Sequence, residues 1–348
     1  MDETSDRRQQ RLSYDDAKDV PCANCMAGCC TFLPLHDFRI TSMTELDYAL
    51  YLLNFDRIEL ALLAGGMWRV HYRAECRNLD VVKRRCLVHQ SPRQPTVCKR
   101  YDPFKCFYTR LFEGSGSDDY IRMDRQRMET YAKMLVFDGH RDVVGVPDIK
   151  SIIDALPPLQ PVVDPEPLGS TVLAQWREMT SGSTTKSPPS GHRFTDFTNP
   201  CGACQAWCCT RLAFPHGTPN SVGNLDHLYF CLGFPGVEVG IDEQNQWSVV
   251  VRTRCRHRQV TQTGQGRCGV FGQPDRPNLC LVYDATLCGY KSQFAQPRPE
   301  RYVRITYDDY SAVTSLFQFD SNGYVTHSPQ HEQIRDSVEA SWTNTNDQ

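Results

Sequence analysis

The sequence predicts an α+β protein of two small homologous cysteine-rich domains in tandem, joined by a Pro/Ser-rich linker. Three observations carry that prediction: an eight-cysteine pattern occurs twice, the residues around it repeat with it, and a stretch without apolar periodicity divides the copies. The first copy is Cys22, Cys25, Cys29, Cys30, Cys76, Cys86, Cys98 and Cys106. The second is Cys201, Cys204, Cys208, Cys209, Cys255, Cys268, Cys280 and Cys288. The offset is 179 residues from Cys22 to Cys76 and 182 from Cys86 to Cys106, so a single three-residue insertion separates them. Unpaired thiols placed at random would not hold such a register.

The repeat reaches beyond the cysteines. PCANCMAGCCTFL at 21–33 answers to PCGACQAWCCTRL at 200–212, Leu46-Asp47 to Leu225-Asp226, and Trp68 to Trp247. RCLVHQSPRQPTVCKRYDPFKCFY answers to RCGVFGQPDRPNLCLVYDATLCGY, and Tyr120-Ile-Arg122 to Tyr302-Val-Arg304. The repeat cores span 20–139 and 199–321 within domains 1–154 and 197–348. Two copies of this length make a duplication, whereas a solenoid needs three or more short repeats.

Taken in order, Ser42 or Thr44 is placed to cap a helix running through SMTELDYALYLLNFDRIELALL. Leu46, Leu50, Leu53 and Ile58 recur at helical spacing, and Gly65-Gly66 ends it. MWRVHYR at 67–73 alternates apolar and polar residues and reads as a strand, as does QWSVVVRTR at 246–254. Short strands follow at Tyr120–Met123 and Tyr302–Ile305, and a helix is expected in MDRQRMETYAKMLVF. Residues 155–196 are rich in Pro, Ser, Thr and Gly and read as a linker, interrupted by a short helix around Val172–Met179. From about residue 327 the chain is polar, and a frayed tail is expected there.

Composition narrows the function. The 348 residues are 40% hydrophobic with a formal net charge of −3, so no charge surplus points to nucleic acid or a membrane surface. MDETSDRRQQ does not resemble a signal peptide and no run of about 18 apolar residues occurs, so a cytoplasmic protein without a membrane partner is expected. In a reducing compartment, 17 cysteines read as metal or redox ligands rather than disulfides.

A Cys-x2-Cys pair sets two thiolates on one tight loop, spaced to grip a single metal, and Cys22/Cys25 and Cys201/Cys204 are such knuckles. Cys29 shares a helical face with Cys25 if that segment turns helical. Adjacent Cys29 and Cys30 diverge in regular structure, so they serve two sites or only one of them is a ligand. Eight thiols would fill two four-coordinate sites, or one cluster plus a further site or redox pair. Thiolate suits zinc and an iron–sulfur cluster alike. All sixteen repeated cysteines are therefore candidate ligands. Arg73, Arg77, Arg85, Arg252, Arg256 and Arg267 recur near them and would offset the negative charge of such a centre; the competing reading is ordinary surface salt bridges. Asp102 and Asp284 lie between cysteines and would support the ligands through hydrogen bonds.

With these residues in place, the chain resembles the CxxCxxCC, or YkgJ-type, cysteine-cluster family, described as zinc- or iron-chelating domains. CANCMAGCC and CGACQAWCC carry the resemblance, each continued by Cys, Cys-x11-Cys and a final Cys. RCLVHQSPRQPTVC and RCGVFGQPDRPNLC resemble the family's C-x-[IV]-Y-x-x-R-P-x-x-C stretch. The copies depart from it: His89 and Phe271 stand at the aromatic position, and Arg93-Gln-Pro95 replaces the Arg-Pro that the second copy keeps as Arg276-Pro277. The resemblance implies metal or iron–sulfur binding. A related pattern occurs in flagellin lysine methylase, but no methyl-donor motif is present and the radical Cys-x3-Cys-x2-Cys spacing is missing.

Cys231, the seventeenth cysteine, aligns with apolar Leu52 and reads as a core thiol. Asp47/Asp226 and Tyr101/Tyr283 repeat without a nucleophile beside them and read as structural; an acid early in a helix favours its dipole. The leading expectation is a metal-binding protein of structural or accessory role, with metal ions as partners and a protein partner or substrate left open. The alternative is an iron–sulfur-dependent enzyme modifying a protein or small molecule.

Overall fold

The computed structural model describes residues 28–83, 85–101, 121–160, 207–260, 266–274, 276–282 and 302–346. It is a mixed α+β structure built on two four-stranded antiparallel sheets. The N-terminal half runs β1 (Phe32–Phe38), α1 (Met43–Leu52), β2 (Ile58–Leu63), β3 (Met67–Arg73), β4 (Leu79–Asp80), β5 (Arg85–Cys86), α2 (Thr96–Arg100), β6 (Ile121–Met123), α3 (Arg125–Ala132), β7 (Val136–Phe137), β8 (Val143–Gly145) and α4 (Ile149–Ala155). The C-terminal half runs β9 (Arg211–Pro215), α5 (Val222–Leu232), β10 (Val237–Asp242), β11 (Trp247–Arg252), β12 (Arg258–Val260), β13 (Gly266–Cys268), α6 (Asn278–Val282), β14 (Tyr302–Ile305), α7 (Tyr310–Thr314), β15 (Gln318–Phe319), β16 (Val325–His327) and α8 (His331–Asn346).

The strand orders are β1-β3-β2-β6 and β9-β11-β10-β14. Phe32 faces Arg73 as Arg211 faces Arg252, and Leu62 faces Trp68 as Ile241 faces Trp247. Leu60 faces Met123 as Val239 faces Ile305. One face of each sheet carries the core: Leu60, Leu62, Trp68, Val70 and Tyr72 pack with Leu46, Ala49 and Leu52 of α1. Trp68 meets Tyr131 edge-on at 5.1 Å, and Trp247 meets Phe317 at 6.0 Å. The buried side chains of both halves form one continuous cluster.

The opposite faces carry charge. Glu59 is buried between Arg73 (2.7 Å) and Arg122 (2.8 Å), and Glu238 between Arg304 (2.5 Å) and Arg252 (3.2 Å). His71 is fully buried on the same face as Glu59, where burial first and Arg69 second push its imidazole down to about 3.

The expected helix over 42–63 is shorter than its pattern. Ser42 caps it, accepting from Thr44 N while Glu45 reaches back to Ser42 N at 2.8 Å. The helix ends at Leu52, and IELALL at 58–63 is the inner strand β2. A strand covered on both faces loses its alternation and looks like a buried helical segment. The strands expected at 67–73, 246–254, 120–123 and 302–305 are β3, β11, β6 and β14, and α3 lies in the helical stretch expected after β6.

The frayed tail is corrected. His331–Asn346 is a helix that docks one face through buried His331, Ile334 and Val338, with Ser341 Oγ donating to Asp309 at 2.8 Å. Its counterpart is α4, where Ile152 is buried, and hairpin β15-β16 answers to β7-β8. The matching elements thus run past 139 and 321. The start of the linker is held by Arg127 Nε donating to Pro157 O and Gln160 N donating to Asp124 Oδ2. The rest of it, with the helix expected around Val172–Met179, lies outside the described residues. No described helix is long and apolar enough to cross a membrane.

Candidate thiol centres

Each half gathers five of its described cysteines, those of the repeated pattern, at one end of its sheet. Cys29 and Cys30 close a 3-10 turn, Gly28–Cys30, before β1; Cys208 and Cys209 close Trp207–Cys209 before β9. The tight turn brings neighbouring side chains together, so Cys29 and Cys30 Sγ lie 3.9 Å apart and Cys208 and Cys209 Sγ 4.0 Å apart. The divergence expected of adjacent cysteines in regular structure does not hold here.

The chain leaving β3 then passes the turn, and Cys76 N donates to Cys30 O at 2.7 Å; Cys255 N donates to Cys209 O at 2.7 Å. Cys86 sits on hairpin β4-β5 opposite Leu79, and Cys268 on β12-β13 opposite Arg258. Cys98 rides on α2 and Cys280 on α6. All ten are half-buried, and no disulfide occurs among the described cysteines.

The thiols feel one another. Burial, then Cys29, Cys76 and Cys86, push Cys98 up to about 12. Burial, then Cys208 and Cys255, push Cys280 up to about 12. Cys29 is raised by its contact with Cys30, then by burial; Cys209 likewise by Cys208 and burial. Cys98 and Cys280 resist ionisation because burial strips solvent from the thiolate and other thiols lie near, and a cation among them would offset both.

In donor type the cluster fits a soft thiolate-bound metal. In geometry one edge fits: metal–sulfur bonds of about 2.3 Å set tetrahedral sulfur edges of about 3.8 Å, close to the Cys29–Cys30 and Cys208–Cys209 separations. Among the described residues, no three His, Cys, Asp or Glu side chains are placed to hold one ion. Cys22, Cys25, Cys106, Cys201, Cys204 and Cys288 lie outside the described residues, as do Asp102 and Asp284.

The arginines divide. Arg73 and Arg252 pair with Glu59 and Glu238. Burial raises the Cys76 thiol, with the Asn78 backbone and then Arg77 acting against it, and Arg77 stacks its guanidinium 4.1 Å over the Tyr307 ring. Arg256 donates its backbone N–H to Asn54 O, and Arg85 and Arg267 are exposed on the two short hairpins. The retained Arg276 lies 4.6 Å over Phe271 and donates to Cys280 O within its own half. In the first copy Gln94 stands at that position and accepts from Gln90 N at 2.6 Å. Cys231 is buried in the core, its thiol pushed up to about 12 by burial.

Sequence reasoning missed the contacts between halves. Asp47 of α1 accepts from Asn278 N and Leu279 N at the start of α6, both at 3.1 Å. Asp226 of α5 accepts from Val97 N at the start of α2, also at 3.1 Å. The repetition of both aspartates was the available signal, and the helix dipole they favour belongs to the opposite half. Comparison with family models, curated proteins and solved structures finds no match to this chain.

Proposed function

We propose that the chain is a tandem duplication of a YkgJ-type cysteine-cluster domain, and that each unit holds metal through thiolates in a structural or accessory role. The observation that carries the reading is the paired cysteine turn, with sulfurs 3.9 Å apart in one unit and 4.0 Å in the other, at the spacing of one tetrahedral edge. Cys76, Cys86 and Cys98 share the neighbourhood of the first pair, and Cys255, Cys268 and Cys280 that of the second. The Cys-x2-Cys knuckles would bring the remaining sulfurs.

Zinc or an iron–sulfur cluster would be held by these cysteines and would supply cross-linking of four chain segments, which stabilises loop-rich modules. The chain's own residues bring the cysteine turn, the hairpin and the short helix to one end of each sheet. Protein purified without oxygen should carry metal in proportion to chain. Colourless protein with zinc supports the structural reading. Brown protein with iron, labile sulfide and absorption at about 400 nm moves the weight to the modifying enzyme. Folded, reduced protein carrying neither metal overturns the proposal.

A further inference from the structure

The two units meet face to face, and the meeting surface runs through the thiol centres. Arg77 N, next to Cys76, donates to Gly233 O at 2.9 Å; Arg256 N, next to Cys255, donates to Asn54 O at 2.8 Å. These are the same bond made twice in opposite directions, since Gly233 and Arg256 stand 179 residues after Asn54 and Arg77. Cys255 forms a β-bridge with Phe55 of the first unit. A Cβ on Gly233 of the second unit would lie 3.6 Å from Cys76 Sγ of the first. Tyr307 of the second unit lies under Arg77 of the first.

The aspartates complete the exchange. Pro95, which precedes helix α2 at its N-cap position, provides no side-chain cap, so the Val97 N–H needs an acceptor from elsewhere. Asp226 of the other unit provides it. Asp47 does the same for two N–H groups of α6. The helices that carry Cys98 and Cys280 are short, with no buried residues, and each packs on the long helix of the opposite unit, α2 on α5 and α6 on α1. A five-residue helix cannot persist on its own propensity, so its orientation is set by what holds its ends.

We propose that each thiol centre is positioned in trans: Asp226 of the second unit fixes Cys98 of the first, and Asp47 of the first unit fixes Cys280 of the second. Asp47 and Asp226 are positioning residues, and the duplication is an intramolecular pair in which neither centre is complete without its neighbour. A lesion in one unit is read out in the thiols of the other. As a statement about metal this rests on the proposed function; as a statement about thiols it does not.

The test uses the full-length reduced protein and the variants Asp226→Ala, Asp226→Asn, Asp47→Ala and Asp47→Asn. The alkylation rate of each cysteine by N-ethylmaleimide is followed by mass spectrometry, with metal content measured on the same samples. Asp226→Ala should speed Cys98 about fivefold relative to Cys280, the local opening that loss of a helix cap permits, and Asp47→Ala should do the reverse. The Asn variants keep one acceptor oxygen and should show a smaller crossed effect; they carry the comparison if the Ala variants unfold. A rise confined to the mutated unit, an equal rise at all cysteines in the Asn variants, or no change overturns the proposal. A crossed pattern in protein without metal leaves positioning intact and overturns the metal reading, whereas metal with no crossed pattern does the opposite.

Discussion

Tyr72 donates its hydroxyl to the backbone carbonyl of Pro235 at 3.0 Å, tying a core strand of the first sheet to the turn that enters the second. Next to that carbonyl, Gly236 holds a φ of +82°, and a Cβ there would meet Tyr72 Oη at 2.9 Å. The matching position is Arg57, which holds a φ of 63° with a full side chain. Left-handed backbone is therefore tolerable in this turn, and the close approach of Tyr72 is what demands glycine.

Gly236→Ala should accordingly lose about 1–3 kcal/mol of stability in urea unfolding, from strain and the forced displacement of a buried ring. Tyr72→Phe, which removes only the hydrogen bond, should cost about 1 kcal/mol. If Gly236→Ala is neutral, the two halves do not meet at this turn.

Glu59 and Glu238 each answer two arginines on the polar face of a sheet. In Glu238, burial opposes ionisation, but Arg304 and Arg252 outweigh it and hold the carboxyl below its ordinary range. Removing the carboxylate leaves partly buried guanidinium groups facing one another. Glu238→Gln should cost about 3 kcal/mol in chemical denaturation. A loss below a few tenths would mean the pairs behave as exposed surface bridges.

The buried imidazole of His71 gives a pH dependence with a definite sign. Its folded value of about 3 lies below the ordinary 6.5, so the unfolded chain binds the extra proton between those values. Stability from this group is complete above pH 6.5 and falls as pH drops toward 3, by at most about 1.4 kcal/mol per unit. The matching residue in the second sheet is Val250, so His71→Val should flatten this part of the stability–pH curve. An unchanged slope in that variant assigns the acid sensitivity to other groups.

Ile334 is fully buried in the C-terminal helix, as Ile152 is in its counterpart. Ile334→Ala should cost about 3 kcal/mol in thermal or urea unfolding. A frayed tail would lose nothing.

MWRVHYR and QWSVVVRTR were legible because each sheet has one core face and one charged face, which leaves alternation in the chain. IELALL misled because β2 is paired on both sides and buried on both faces, so that after Glu59 the apolar run Leu60–Ala64 leads without alternation into Gly-Gly. The tail misled because, among the residues whose side chains are described, its buried apolar residues are Ile334 and Val338, too sparse a pattern to stand out among polar neighbours. The cysteines announced themselves, but the approach of Cys29 to Cys30 depends on a 3-10 turn that spacing alone does not specify. The repetition of Asp47 and Asp226 marked them, but not their exchange between halves: the partners lie 231 and 129 residues away, and nothing local says which helix an aspartate caps.

A thiolate-bound metal in each unit, as proposed, would be seen by X-ray absorption at the metal edge of the anaerobically purified protein. A first shell of about four sulfurs at about 2.3 Å is the expected result, reduced by half in metal content when Cys208 and Cys209 are both replaced by Ser. A shell dominated by nitrogen or oxygen, or folded protein with no metal to measure, would contradict it.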